Sequence, residues 1–416
     1  MEKTVIELFA GVGGFRIGLN DIKKINKKGL AIEKNNFKFV WANQWEPSTS
    51  KQYAYECYKK RFNSSDDELS NLNISLVDKK SIPDHSLLCG GFPCQDYSVA
   101  RSLSNEKGIE GKKGVLWWDI VDILKAKKTP FVLLENVDRL LKSPSKQKGR
   151  DFGIMLRCLD DLGYVVEWRV INAANYGFPQ RRRRIYIFAY NKTTEYYKKT
   201  KKISAENIIK EYGVFASAFP VEDFDKKIEP ILLKKNHKTI LDVSNDFSEC
   251  FENSGYMING KIYTYKVIPI YVSPIKLEQI IQYEPIDSRF YLDDVKQEKF
   301  KYLRGSKKIP RTSKLGIKYL YSEGAMSPTD SLQLPGRTML TSEGTLNRST
   351  HIIDDPCTGK RRILTPVECE RLNQFPDNWT CVLPERKRYF MMGNALVTGV
   401  IKRIGYIVSK IIENEN

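Results

Sequence analysis

Through the first 190 residues, apolar runs alternate between two periodicities. Val5 to Phe9 is largely apolar and ends in AGVGG, which predicts a strand entering a glycine-rich turn. Phe15 to Ile25 then reads as a helix. Lys38 to Ala42 predicts a second strand, Gln52 to Arg61 a helix, and Ser86 to Cys89 a short third strand. Helical spacing returns over Leu116 to Leu124. Phe131 to Leu134 is a strand running into Glu135, Ile154 to Leu162 is helical, and Val165 to Ile171 and Ile185 to Tyr190 are strands. Strands alternating with helices predict an α/β fold, a mostly parallel sheet with helices on both faces. Ligands on such a sheet bind at the carboxyl ends of the strands.

The pattern changes after Tyr190. Lysine clusters at 198–202, 226–227, 234–238 and 307–318 separate short β-rich pieces such as KIYTYKVIPIYV (261–272). This stretch predicts a separate, irregular, basic domain, with no internal repeat. Pro366 to Asn373 predicts a helix, with Thr365 as its N-cap and Glu368 completing a capping box. The segment GNALVTGVIKRIGYIVSKII reads as a turn into an amphipathic helix, whose apolar face is expected to pack on the first domain.

Composition narrows the partners. Lys and Arg number 68 against 50 Asp and Glu, a net charge of +18. That excess fits a polyanion such as nucleic acid, and fits equally a soluble protein of a lysine-rich proteome. Eight cysteines lie at 57, 89, 94, 158, 250, 357, 369 and 381. They form no CxxC pair, which argues against zinc, and they are too sparse for a disulfide scaffold. Three histidines argue against a mechanism built on several imidazoles. The N-terminal residues lack the apolar stretch of a signal peptide, and no run is long enough to span a bilayer. A reduced, cytoplasmic setting without membrane is expected.

Four motifs carry candidate chemistry. In ELFAGVGGFRIGL (7–19), Gly11, Gly13 and Gly14 permit a tight turn and close approach to a ligand at a helix N-terminus. The dinucleotide pattern GxGxxG fails, because Arg16 stands where its third glycine belongs. Taken alone, the turn is either a nucleotide-like cofactor site or a plain tight turn. In CGGFPCQDYS (89–98), Pro93 stiffens the backbone before Cys94 at a strand's end, a setting for a nucleophile. Cys89, within the strand, reads as a buried structural residue. In LLENV (133–137), Glu135 ends an apolar strand as either a solvated end or a carboxyl facing the ligand edge; sharing that edge with Cys94 favours the latter. In YGFPQRRRRIYIF (176–188), strand alternation puts Arg182 with Arg184 and Arg181 with Arg183. Such a pair can grip a phosphate or carbonyl oxygen by forked hydrogen bonds, or be a solvated basic run.

In this order, these residues resemble the cytosine-5 DNA methyltransferases of the bacterial restriction-modification type. The resemblance rests on FAGVGG, GFPCQDYS, ENV, QRRRR, RILTPVECERLNQFPDNW (362–379) and GNALV (393–397), and spans about residues 4 to 190 and 337 to 405. It implies a Rossmann-like S-adenosylmethionine-dependent methyltransferase sheet with a second, smaller, irregular β-rich DNA-recognition domain. The expected domains are a catalytic, cofactor-binding domain over 1–190 and a target-recognition domain over 191–390, with the late motifs at 337–380. A helix over 391–416 returns to the catalytic domain.

The implied mechanism is nucleophilic. Cytosine C5 is too poor a nucleophile to be methylated directly. By the resemblance, Cys94 adds to C6 and Glu135 assists at ring N3, where a carboxyl with a raised pKa would serve near neutral pH. Loss of the C5 proton then expels Cys94. Arg184 contacts the cytosine O2, and Arg182 supports the Cys94 loop. The target base must leave the duplex. Residues 99–114, with glycines at 108, 111 and 114, fit a mobile lid, and Gln95, Ser98, Arg101, Lys112 and Lys113 are expected at the DNA.

For the cofactor, Phe9, Ala10, Gly11, Gly13 and Gly14 match the first motif, Trp45 matches the aromatic residue on adenine, and Pro93 and Leu116 are expected to line the pocket. The family's ribose-binding acid aligns with Gln44, with Glu46 as a possible substitute. The acid near the adenine aligns with Asn73, followed by Ile74. In the last motif Asn394 is present and Ala395 replaces a frequent serine.

The resemblance further implies duplex DNA as partner, a monomer, and a cognate restriction endonuclease that shares the site without binding this chain. The target is expected to be a short palindrome, with GATC the first guess. The basic stretch 191–336 should read it, while 337–350 either lies against the DNA backbone or supports the helix at 366. A tRNA methyltransferase of the same fold would share the chemistry; the long central domain favours duplex DNA. Retention of Cys94, Glu135, Arg182 and Arg184 argues against a non-catalytic regulator, and Arg16 against a dehydrogenase.

Overall fold

The computed structural model describes residues 1–47, 49–92, 116–233, 237–312 and 316–415. The chain forms two compact units: Met1–Tyr176 with Arg183–Val272 and Thr398–Asn416, and Gly177–Arg182 with Ser273–Val397. Among the described residues, no helix is long and apolar enough to cross a membrane.

The first unit begins with β1 (Thr4–Leu8), the glycine-rich turn and α1 (Gly14–Asn20). A short antiparallel pair follows, β2 (Ile22–Ile25) and β3 (Ala31–Glu33). The helix expected over Phe15 to Ile25 therefore stops at Asn20. Asp21 takes a positive φ of 52°, which breaks the helix. The buried Asn20 side chain then bonds across the loop, accepting from the Phe37 amide at 2.8 Å and donating to its carbonyl at 3.0 Å. Next come β4 (Lys38–Asn43), α2 (Tyr53–Phe62), β5 (Leu69–Ser70), β6 (Leu87–Gly91), α3 (Leu116–Lys127), β7 (Phe131–Val137), α4 (Arg150–Asp161), β8 (Tyr164–Asn172) and β9 (Arg183–Asn191).

These strands belong to one ten-stranded sheet in the order β10-β12-β11-β8-β9-β7-β6-β1-β4-β5, where β10 is Ile231–Leu232, β11 Ser254–Ile258 and β12 Lys261–Tyr265. The run β7-β6-β1-β4-β5 is parallel. Consecutive residues of β1, β6 and β7 are buried, so both faces of these strands are covered and they read as near-continuous apolar runs. The sheet is only half parallel, however: β9 and β8, and beyond them β11, β12 and β10, pair antiparallel.

The boundary expected at residue 190 thus differs from the one between compact units. Residues 191–272 group with the sheet, because Ser254 to Met257 pair with β8 and are buried against it. Gly255 lies flat on Trp168, where a Cβ would come within 2.0 Å of the indole. The basic KIYTY piece that looked like part of an irregular domain is β12 of the main sheet.

The last helix of this unit, Thr398–Glu413, packs on α1 as its apolar face predicted. The contact is close because both helices carry glycine there. A Cβ on Gly18 would fall 2.5 Å from the Ile401 Cβ, and one on Gly405 2.6 Å from Leu19.

The second unit is smaller. With the Ile240–Asp246 helix of the first unit as α5, the second unit holds α6 (Asp294–Arg304), followed by the hairpin β13 (Lys307–Thr312) and β14 (Lys318–Glu323). The antiparallel pair β15 (Ile352–Asp354) and β16 (Arg361–Ile363) comes next, then α7 (Pro366–Leu372) and α8 (Glu385–Asn394). Thr365 and Glu368 form the expected capping box. Glu368 also pairs with the buried Arg362 at 2.8 Å, and Arg362 reaches Asp355 at 2.5 Å.

Gly18→Val should destabilise the protein by about 1–3 kcal/mol or more through overpacking, read as a lower urea midpoint. An unchanged midpoint would contradict the docking of the last helix on α1.

Candidate active site

Parallel strands end on a common edge. The glycine-rich turn follows β1, Gln44 and Trp45 follow β4, Gly91 ends β6, and Glu135 lies near the end of β7. Three residues of the first turn are left-handed: Phe9 at φ 55°, Gly11 at 55° and Gly13 at 87°. Such a conformation is strained for phenylalanine and recurs at functional turns. Gly13 has a packing reason, since a Cβ there would sit 2.4 Å from the Phe62 ring. Gly11 is different: a Cβ would meet nothing within 4 Å.

Gln44 is buried, and its Oε1 accepts the Gly11 amide at 2.7 Å. It therefore braces the turn. The neighbouring Trp45 is exposed. The Glu46 amide donates to Gln52 Oε1 at 2.7 Å. Asn73 caps a short turn by accepting the Ser75 amide at 3.2 Å, Ile74 is buried, and Leu116 is half-buried at the start of α3. A bent turn with open space at Gly11, an exposed indole and polar groups behind it fits a nucleoside-like cofactor.

Glu135 lies opposite Gly91 in the register of β6 and β7. The absent side chain leaves room for the acid, since a Cβ on Gly91 would come 3.1 Å from Glu135 Oε2. Arg184 Nε reaches Glu135 Oε1 at 2.9 Å, both side chains being about one-seventh exposed (16% and 14%). Asn136 turns inward and donates to the Phe92 carbonyl at 3.0 Å. It thereby anchors the chain two residues before Cys94. Cys94 itself, with Pro93, Gln95, Ser98, Arg101, Lys112, Lys113 and the expected lid, lies outside the described residues. Cys89 is fully buried, and burial pushes its thiol well above the usual range, as a structural cysteine requires.

The arginine run divides otherwise than strand alternation predicts. Arg182 precedes β9 and belongs to the second unit, whereas Arg184 belongs to the first. The buried Arg182 guanidinium donates to the carbonyls of Met339 and Gly393 at 3.1 Å and of Asn394 at 3.3 Å. Gln180, also buried, donates to Asn373 Oδ1 at 2.9 Å, and Asn373 donates to the Met392 carbonyl at 2.7 Å. Arg182 thus ties two late segments together, at Met339 and at Gly393–Asn394, just before Ala395, and Gln180 adds a third at Asn373. Arg183 pairs with Asp138 at 3.2 Å.

Sequence reading missed Glu7, although an acid inside the buried run VIELF was a visible signal. Its oxygens accept the Phe15 amide at the start of α1 (3.2 Å) and the Tyr58 hydroxyl (3.1 Å). Burial pushes its carboxyl up to about 8, against the Tyr58 hydrogen bond and the charge of Arg16. Arg16, the residue that broke the dinucleotide pattern, pairs with Glu33 at 2.7 Å and stacks on Phe62.

Comparison with known proteins now decides the family. The model for C-5 cytosine-specific DNA methylases matches residues 3–410. The chain belongs to this family. It is 51% identical over 411 residues to the Type II methyltransferase M.Sau3AI of Staphylococcus aureus, across 98% of this chain and 95% of that one. It is 35% identical over 185 residues to the Type II methyltransferase M.HhaI of Haemophilus parahaemolyticus, 44% of this methylase and 48% of the relative. Among solved structures, a mutant of DNMT2 from Spodoptera frugiperda aligns with a TM-score of 0.58 at 14% identity, covering 98% of this methylase and 99% of that chain. The Entamoeba histolytica methyltransferase EhMeth aligns at 0.56, also 14% identical, over 99% of both chains. At that identity they share the fold. Among the described residues of the methylase, no cluster of His, Cys, Asp or Glu could hold a metal ion.

The buried Glu7 predicts a pH dependence. An unfolded glutamate ionises near 4.5 and the folded one near 8. Between these values the folded state keeps a proton that the unfolded state has lost, so rising pH favours unfolding. His85, which burial holds neutral down to about 4, gives the opposite slope only below the ordinary histidine value of 6.5. Thermal midpoints of the wild type should therefore fall between pH 6.5 and 8, and Glu7→Gln should flatten that fall. Equal slopes in both proteins would refute the assignment.

Proposed function

We propose that this enzyme is the methylase of a restriction-modification system. In this reading it transfers a methyl group from S-adenosylmethionine to C5 of a flipped-out cytosine in a short palindromic duplex, with GATC the first sequence to test. The observation that carries the reading is the contact of Glu135 with Arg184 beside Gly91, on the edge where the glycine-rich turn also lies. N3 and O2 are neighbouring atoms on one edge of cytosine. A carboxyl and a guanidinium 2.9 Å apart are suited to meet that edge together.

Cys94 follows Gly91 by three residues and acts as the nucleophile. Its thiolate forms a bond to C6, and the ring electrons shift toward N3, where Glu135 hydrogen-bonds or protonates the ring. Arg184 holds O2. The ring now carries enamine character at C5. Phe9 to Gly14, Trp45 and the residues around Gln44 and Asn73 would hold S-adenosylmethionine, which would supply an electrophilic methyl group to C5 and leave as the neutral thioether S-adenosylhomocysteine. Loss of the C5 proton to a base then restores the double bond and releases the Cys94 thiolate. Thiolates suit both ends of this sequence, because they attack and leave readily. The net positive charge of +18 supports a DNA substrate.

Cys94→Ser should abolish methyl transfer while retaining DNA binding. Duplex DNA carrying 5-fluorocytosine should trap the wild type as a covalent adduct, because fluorine cannot leave as a proton does. Failure to form any adduct on DNA that the enzyme methylates would sink the role of Cys94. Glu135→Gln should slow transfer by roughly 10²- to 10⁴-fold, the range of a general acid or base, in single-turnover assays with tritiated donor. Bisulfite sequencing of DNA from expressing cells should show one methylated palindrome, and absence of GATC methylation would reject that sequence.

A further inference from the structure

Residues 191–336 were expected to read the DNA target, but 191–272 belong to the sheet unit. Within the rest, the hairpin β13–β14 has an unusual surface. Every described residue from Lys308 to Glu323 other than Ile309 and Glu323 is exposed, including Ile317, Tyr319, Leu320 and Tyr321. Both faces of the ribbon are therefore open. An isolated two-stranded ribbon is marginal in water, so this one needs either a firm root or a partner along its length.

The root is firm. Lys307 donates to the Leu303 carbonyl at the end of α6 at 2.7 Å and pairs with Glu323 at 3.4 Å. Arg348 pairs with Glu323 at 2.8 Å and donates to the Gly324 carbonyl at 2.7 Å. Arg304, at the end of α6, is buried against Asp330 at 2.9 Å. Beyond this base the register sorts the side chains. One face carries Ile309 with Tyr321 and Arg311 with Tyr319, the Arg311 guanidinium stacking 4.0 Å from the Tyr321 ring centre. The other carries Lys308 with Ser322, Pro310 with Leu320, and Thr312 with Lys318.

We propose that the β13–β14 ribbon is the element by which this methylase reads its DNA target from the major groove, a proposal that rests on the function given above. A two-stranded ribbon fits that groove. The stacked Arg311 is pre-organised for the forked hydrogen bonds that distinguish guanine, and Tyr319 beside it offers a hydroxyl. Lys308 and Lys318, on the opposite face, meet phosphates. Rooting at one end holds the ribbon in orientation while its length stays free for the groove.

The test uses the full-length protein and plasmid DNA carrying a randomised insert, methylated in vitro and read by bisulfite sequencing. Arg311→Ala should lower kcat/KM at the wild-type site by roughly tenfold to a hundredfold, the worth of one bidentate base contact. It should also spread methylation to sites differing at one position. Lys308→Ala with Lys318→Ala should weaken all sequences alike and reduce the slope of log affinity against log salt by about two. Both changes lie on exposed positions, so thermal midpoints should stay at the wild-type value. Wild-type rates, site pattern and salt slope in both variants would overturn the proposal. A wild type that methylates no duplex at all would overturn the functional reading, and the ribbon's role with it.

Discussion

Parallel pairing of β4, β1, β6 and β7 is the constraint on which the sheet unit's chemistry depends, because parallel strands deliver their carboxyl ends to one edge. Four segments far apart in the chain, following residues 8, 43, 91 and 134, meet there without any loop having to cross the sheet. The register is as necessary as the direction. Gly91 opposes Glu135, and the missing Cβ makes room for the carboxyl. A slip of one residue would turn Glu135 to the other face and separate it from Arg184.

The second unit is held by a different device. Its paired strands are short, and several of its buried contacts run through guanidinium groups. Arg182 binds three carbonyls, Arg304 binds Asp330, and Arg362 binds Asp355 and Glu368. Each buried cation is fixed in direction as well as charge, which specifies one arrangement of irregular segments that apolar packing alone would leave loose. His351 and Glu343, both buried and 2.9 Å apart, extend the same principle.

Strands β1, β4, β6 and β7, the helix at Pro366 and the last helix were legible because their signals are local in sequence: apolar runs, a glycine turn, a capping box, an amphipathic face; the short β5 gave no such signal. Glu135 was legible as an acid at the end of an apolar strand. In the antiparallel half β8 and β9 were legible as strands, but the membership of β11 and β12 in the same sheet was not, since β11 pairs with β8 from far earlier in the chain and β12 with β11. The division of the arginine run was equally hidden. Strand periodicity groups Arg182 with Arg184, but Arg182 lies ahead of the strand, and its partners are backbone carbonyls whose positions no periodicity reveals. Asn136 and Gln44 were hidden in the same way, since each acts on a distant backbone group.

The contact of Gly18 with Ile401 also orders the molecule in time. Residues 398–413 leave the ribosome after all of the second unit, so α1 and the glycine-rich turn before it wait without their covering helix while more than two hundred residues are added. An early segment is thus among the last to be finished, and a chain truncated shortly before residue 398 would carry every motif of the sheet edge yet leave the helix behind the glycine-rich turn bare.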